Sequence, residues 1–366
     1  MKIQKPFLCL CLCPMVLFSG CSLTGNSKTL IKQTLTRELD SLKQPNPEEA
    51  QKYISFTEIF SDTSEDIELS PELEEIFPLF FEDFDYEIAD IQISSDTHAS
   101  AQVTLTTIDA PALARDFAAA KLKNNILSAA RKESSKASPS LKDDFLLLGE
   151  LMKDTNYAPI SSSCTIELQK ENDAWELVKN QALENQLIGG LLACLADSDI
   201  LPPGDTVQVY LDTFCSMDDA LMASFLSIDE LTEADSTEEN SIANAIISQI
   251  HKVFQYEIQE VKEDGYQAEV MVSFMTFDID TILNSYQAEM DVYLASADAV
   301  IDGAEKRQQK SRALLVEAIQ NNEALVSNTL VIPLIDNGIL WEIQMDDKSL
   351  ENALFGDLAQ TLTPEM

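Results

Sequence analysis

Nearly the same nine residues occur twice in this chain. Residues 183–191 read LENQLIGGL and residues 350–358 read LENALFGDL, identical at six positions. The match is not isolated. FDYEIADI (84–91) stands against FQYEIQEV (254–261), and Ala101-Gln-Val103-Thr-Leu105 against Ala268-Glu-Val270-Met-Val272. Further on, CTIELQKENDAWELV (164–178) stands against LVIPLIDNGILWEIQ (330–344), which sets Trp175 against Trp341. The matches keep one order at an offset of 166 to 170 residues. A repeated order of this kind constrains the fold more than any composition, because each copy must then be one packing unit. A chain of 366 residues also exceeds what a single core usually serves.

Each copy reads as helices, two strands, helices, two strands and a closing helix. SKTLIKQTLTRELDSL is an amphipathic helix, and Asn46 followed by Pro47 starts another. Segments near 84–93 and 99–107 alternate with period two, as half-buried strands do. Asp109 is placed to cap a helix whose apolar positions Leu113, Phe117, Ala120 and Leu127 fall at helical spacing, and KDDFLLLGELMKD supplies another. Strands near 164–170 and 174–178 make a hairpin turning at Glu171-Asn172-Asp173. In the second copy the turn is expected at Asp336-Asn337-Gly338, since Asn-Gly is a strong hairpin signal. Leu183, Leu187 and Leu191, like Leu350, Leu354 and Leu358, are expected to form one helical stripe. The expected fold is α+β: two tandem copies of a curved antiparallel sheet of about four strands packed with helices, each with a helical insertion (109–160 and 279–328) between strand pairs. The expected boundaries are repeat 1 at 29–197, a Pro/Gly-bearing linker at 198–204 and repeat 2 at 205–366.

The N-terminus, MKIQKPFLCLCLCPMVLFSGC, has two lysines, then an apolar run from Phe7 to Phe18 that is too short to span a bilayer. Ser19-Gly20-Cys21 follows and resembles a bacterial lipobox, with Phe18 in place of the usual leucine. That resemblance implies a signal peptide at 1–20, a diacylglyceryl group on Cys21 and a polar tether at 21–28. It places the protein on the outer face of a bacterial cell membrane. Loss of Lys2 and Lys5 leaves 22 basic against 63 acidic side chains, a net charge of −41. Such a chain should be repelled by nucleic acid and by anionic headgroups. The order of elements resembles the nuclear transport factor two-like fold, a cone-shaped α+β roll found in tandem in Gram-positive surface lipoproteins without an assigned function. The excursions between strand pairs are longer than that fold usually carries.

Chemistry-bearing patterns are sparse. His98 and His251 sit in no ligand spacing, and there is no G-x-S-x-G, no phosphate loop and no S-x-x-K. Cys164, Cys194 and Cys215 read as free buried thiols, with one disulfide left open, and their spacing gives no metal pattern. No cofactor or metal is therefore expected, and the chain reads as non-enzymatic. Basic residues are scarce and concentrate in the insertions. Residues 109–136 include Lys121, Lys123, Arg131 and Lys132 and carry six basic against three acidic side chains. Residues 303–312 hold Lys306, Arg307, Lys310 and Arg312 against one acid. These form a candidate docking ridge for an anionic partner, or else pair internally with acidic neighbours. Tyr86, Tyr256, Trp175 and Trp341 either line the mouth of a cone or belong to the core. The expected function is a membrane-anchored binding or spacer module for a protein or cell-wall component; alternatively, a receptor holding a small molecule in one or both cones.

Overall fold

The computed structural model describes residues 21–54, 59, 70–132, 140–228, 239–345 and 349–355. The signal-peptide segment 1–20, Gly356 and Leu358 lie outside them. The first elements are helices α1 (Cys21–Asp40) and α2 (Pro47–Ala50), then strands β1 (Asp85–Ile93) and β2 (His98–Thr107). Helices α3 (Ala110–Ala130) and α4 (Leu141–Asp154) precede strands β3 (Ile160–Glu171) and β4 (Ala174–Leu177). Five helices follow: α5 (Gln181–Leu187), α6 (Leu191–Leu195), α7 (Pro203–Cys215), α8 (Asp219–Phe225) and α9 (Glu239–Val253). Strands β5 (Gln255–Asp264) and β6 (Gln267–Phe277) lead into α10 (Ile279–Leu294), α11 (Ala297–Ile301) and α12 (Ala304–Gln320). Strands β7 (Leu325–Asp336) and β8 (Trp341–Ile343) and helix α13 (Ser349–Phe355) close the described chain.

Two four-stranded antiparallel sheets result, ordered β1-β2-β3-β4 and β5-β6-β7-β8, each packed with helices. The fold is α+β with two tandem sheet-plus-helix units. The local causes are those the residues suggest. Asn46 caps α2 with a capping box to Glu49, Asp109 accepts from the Ala112 amide, and Asp278 accepts from the Asp280 and Thr281 amides. Ser140 and Asp143 form a second capping box at α4. Alternation buries Ala99, Ala101, Val103 and Leu105 on one face of β2, and Ala268, Val270, Val272 and Phe274 on one face of β6.

The first strand of each sheet carries a bulge at the same place, between Ile88 and Asp90 and between Ile258 and Glu260. Pairing then corrects one sequence match. Tyr86 lies opposite Leu105 and Tyr256 opposite Phe274, so Leu105 corresponds to Phe274 and Ala99 to Ala268. The expected match of Ala101 to Ala268 is two residues out. A slip of two keeps every side chain on its own face, so alternation cannot detect it.

Three other expectations change. The second hairpin turns one residue later than Asn337-Gly338: the Asn337 amide bonds the Leu340 carbonyl, leaving Gly338 (φ +86°) and Ile339 at the tip. In the first hairpin Asn172 and Asp173 both take positive φ, as a two-residue primed turn requires. The leucine stripe of residues 183–191 is cut, because α5 ends at Leu187 and Gly189 and Gly190 both have positive φ. Leu183, Leu187 and Leu191 are buried all the same, the last from α6. The stretch 21–28, expected as a tether, forms the first turns of α1.

Compact packing also divides the chain differently from the sequence matches. Of the described residues, unit 1 takes 21–54, 59, 74–108 and 158–189, and unit 2 takes 70–73, 109–132, 140–157, 190–228, 239–345 and 349–355. In unit 1, α1 lies against β1 and β4 and buries Ile31, Leu35 and Leu39 completely. In unit 2, α7 lies against β5, β6 and β8. Helix α3, written in the first copy, packs on α4, α6, α7 and α8 of unit 2. Its Ile126 and Ala130 join the core of Phe214, Met222, Ile246, Ile250 and Phe277. The stretch 198–204 also belongs to unit 2. Ser198 Oγ donates to Asp336 at 2.9 Å, and Trp341 Nε1 donates to Asp199 at 2.8 Å.

Candidate functional site

The two candidate tyrosines make the same contact in both units. Tyr86 OH donates to Asp40 Oδ1 at 2.9 Å and lies 3.3 Å from the Thr36 carbonyl, both on α1. Tyr256 OH donates to Asp212 Oδ1 at 2.5 Å and lies 3.4 Å from the Gln208 carbonyl, both on α7. Carbonyl and carboxylate are four residues apart in each helix, so they share one face. Burial and the neighbouring carboxylate raise both phenols above the usual tyrosine range. A phenol held protonated and spent on a carboxylate is a fastener. It ties the main helix of each unit to the strand that carries the bulge.

Trp175 and Trp341 are core residues, 5% and 3% exposed. Trp341 packs among Val207, Leu211, Val270 and Ile332, and its indole N–H is used by Asp199. A shallow concavity lies along α1, lined by Thr29, Lys32, Gln33, Thr36 and Arg37, and none of the four candidate aromatics lines it.

The basic candidates differ in exposure and surroundings. Lys121 Nζ is 2.8 Å from Asp144 Oδ2, a carboxylate that α4 buries, and it also lies over the Phe117 ring. This pair joins α3 to α4. Lys123 is exposed within α3, about two turns before its end, and Arg131 and Lys132 are exposed just beyond it. Lys306, Arg307 and Lys310 are exposed on the first half of α12, with Lys306 3.8 Å from Asp302 one turn earlier. Arg312 is half-buried. The contacts of α3 run to α4, α6, α7 and α8, and those of α12 to α9 and α10, so the two basic segments sit in different helical surroundings of unit 2.

The remaining reactive groups are quiet. Burial pushes the Cys164 thiol up to about 11, whereas the other two thiols expected to be buried are not: Cys194 is half-buried and Cys215 is exposed at the end of α7. The three body cysteines are free. His98 Nδ1 lies 2.9 Å from Thr97 Oγ1 in the β1–β2 turn, and His251 Nε2 lies 3.1 Å from Asp219 Oδ1. Among the described residues no three His, Cys, Asp or Glu side chains gather as a metal site would need. Among the carboxylates that sequence reasoning missed is Glu38, which accepts from Tyr53 OH at 2.5 Å. Burial works to raise the Glu38 pKa, but the bonds from Tyr53 and Arg37 outweigh it and hold the group below its ordinary value.

By fold this is an α+β chain of two sheet-plus-helix units. No family model matches it, and no curated protein does. Among solved structures it is similar to a candidate lipoprotein, YcdA, from Bacillus subtilis subsp. subtilis str. 168. The match is at 10% identity and a TM-score of 0.28, covering 75% of this chain and 95% of that one. At that score the likeness carries no argument. Among the described residues no helix is long and apolar enough to cross a membrane.

Proposed function

We propose that this protein is an extracytoplasmic lipoprotein, anchored by acylated Cys21 to the outer face of a bacterial membrane, where it serves as a non-enzymatic binding or spacer module. The observation that carries the reading is the N-terminal order: Lys2 and Lys5, an apolar run, then Ser19-Gly20-Cys21. A net charge of −39 supports it, since a chain so acidic stays soluble and clear of an anionic surface except where something holds it there. The non-enzymatic half rests on how the reactive groups are used. The phenols of Tyr86 and Tyr256 fasten helices, and the thiol of Cys164 is held protonated. We attach the nuclear transport factor two-like label to each unit on the order of its elements and the helix laid against a sheet with a bulged first strand. The exposed cations Lys123, Arg131, Lys132, Lys306, Arg307 and Lys310 are the groups offered to an anionic partner.

The test is metabolic labelling with an alkyne palmitate in a bacterium that processes lipoproteins. The wild-type chain should take the label and sediment with membranes, while Cys21→Ala should lose both properties. Label retained by Cys21→Ala removes the proposal.

A further inference from the structure

The edges of the two sheets are protected unequally. Strand β1 carries Asp85, Glu87 and Asp90, β5 carries Glu257, Glu260, Lys262, Glu263 and Asp264, and both are bulged. Charge and a bulge are devices that keep an edge strand from pairing with another chain. On the opposite side of the second sheet, β8 is too short to cover β7. It pairs only with Leu334, Ile335 and Asp336, and the Gln344 amide adds a bond to the Pro333 carbonyl at 2.8 Å. Among the described residues no strand pairs with Leu325 to Ile332 on that side, although β6 pairs with all of them on the other.

The Pro333 carbonyl faces β8, so the amides and carbonyls of Val331, Thr329, Ser327 and Leu325, at two-residue steps from it, face the same open side. Helix α13 meets β7 on its inner face, where Asn328 Nδ2 donates to the Ala353 carbonyl at 2.9 Å. No charged residue lies between Leu325 and Ile335. Leu325, Val326 and Val331 are 47%, 38% and 44% exposed, and Ser327 and Thr329 are exposed between them. The order along the edge, Leu-Val-Ser-Asn-Thr-Leu-Val, has the same chemistry read from either end. The corresponding stretch of β3, Ile160 to Ile166, offers mostly hydroxyls, and Ile160 is its one exposed aliphatic side chain.

We infer that the open edge of β7 is where two copies of this chain meet, pairing antiparallel about a twofold axis at Asn328. In that register Leu325 of each copy faces Val331 of the other, Ser327 faces Thr329, Val326 faces Leu330, and Asn328 faces its own equivalent. Aliphatic meets aliphatic and hydroxyl meets hydroxyl, while the open-side amides and carbonyls of Leu325, Ser327, Thr329 and Val331 all find partners. Moving the axis to Thr329 would set Ser327 against Val331 and Leu325 against Pro333, which has no amide hydrogen. A second copy is the occupant this chemistry selects, because a twofold contact requires a surface that complements itself. The net charge of −39 on each chain opposes the approach, and the edge is a strip where no charge stands in the way. The inference is independent of acylation at Cys21 and of the exposed cations.

Light scattering on the full chain in a mild detergent, with the detergent mass subtracted, tests it. The protein mass should rise from one chain towards two as concentration increases, and sooner in added salt, which screens the repulsion. Ser327→Asp with Thr329→Asp sets carboxylates opposite one another across the axis and should hold the mass at one chain. Ser327→Lys with Thr329→Asp sets an ammonium opposite each carboxylate and should restore the doubling. Ser161→Asp with Ser163→Asp, at the corresponding positions of β3, should leave the doubling as it is in the wild type. Four results overturn the inference. They are a wild-type mass of one chain at every concentration, doubling that survives the paired aspartates at 327 and 329, no recovery with lysine at 327, or an equal loss from the β3 substitutions.

Discussion

Tyr256 and Asp212 show how single residues set the architecture here. A strand tyrosine and a helix aspartate, 44 residues apart, meet at hydrogen-bond distance, and Tyr86 and Asp40 repeat the pairing 46 residues apart. A double-mutant cycle of Tyr256→Phe and Asp212→Ala should give a coupling of about 1 kcal/mol in denaturant midpoints, the size of one net hydrogen bond. A coupling near zero would mean that the hydroxyl and carboxylate do not fasten α7. Lys121→Met should cost more, about 1–3 kcal/mol by urea denaturation, because it leaves the buried Asp144 carboxylate without its partner. The Cys164 thiol makes a pH prediction with a definite sign. Unfolded cysteines release their protons near 9, whereas buried Cys164 holds its own to about 11 when folded. The unfolded state therefore binds fewer protons across that window, and stability should fall as pH rises from 9 to 11. Replacing Cys164 by alanine should flatten the fall, as read from urea midpoints at pH 7, 9 and 10. The tyrosines were legible as a repeated FxYEI pattern, but their aspartates were not. Nothing in a sequence with 63 acidic residues marks Asp40 or Asp212 from the others.

At the scale of elements, alternation and capping told most. The outward half of β3 shows where they fail. Ser161 and Ser163 face neither core nor charge, so the strand appeared to start at Cys164, whereas pairing begins at Ile160 and Ser161 meets Thr106 at 2.9 Å. Helix α3 shows a different failure. Its periodicity fixes that it is a helix, but the surface it packs on is chosen by complementarity with distant segments. Ile126→Ala should therefore unsettle unit 2, by about 2–4 kcal/mol for a large-to-small change in a core. By hydrogen exchange, protection should drop in α9 and β6 and stay as it was in β1 to β4. Loss confined to β1–β4 would assign α3 to unit 1 and contradict the packing described here.

For the whole molecule the dominant quantity is charge. With 63 acidic against 24 basic side chains, folding holds like charges close together, and the formal isoelectric point lies near 4.1. Added salt should raise the thermal midpoint by screening this self-repulsion, and solubility should pass through a minimum near pH 4. A midpoint insensitive to salt would show that the acids are spaced too widely to interact. The sequence by itself determined the α+β class, the two four-stranded sheets and the helix caps, because each depends on residues close along the chain or on alternation within one strand. Only the tertiary structure decided that residues 109–157 complete unit 2, that Ala99 and not Ala101 corresponds to Ala268, and that Trp175 and Trp341 are core. The same holds for the open edge of β7. The physical reason is common to these cases. Which surface a helix or a strand face buries is settled by shape and area between segments far apart in sequence, and hydropathy along the chain records only that some face must be buried, not against what.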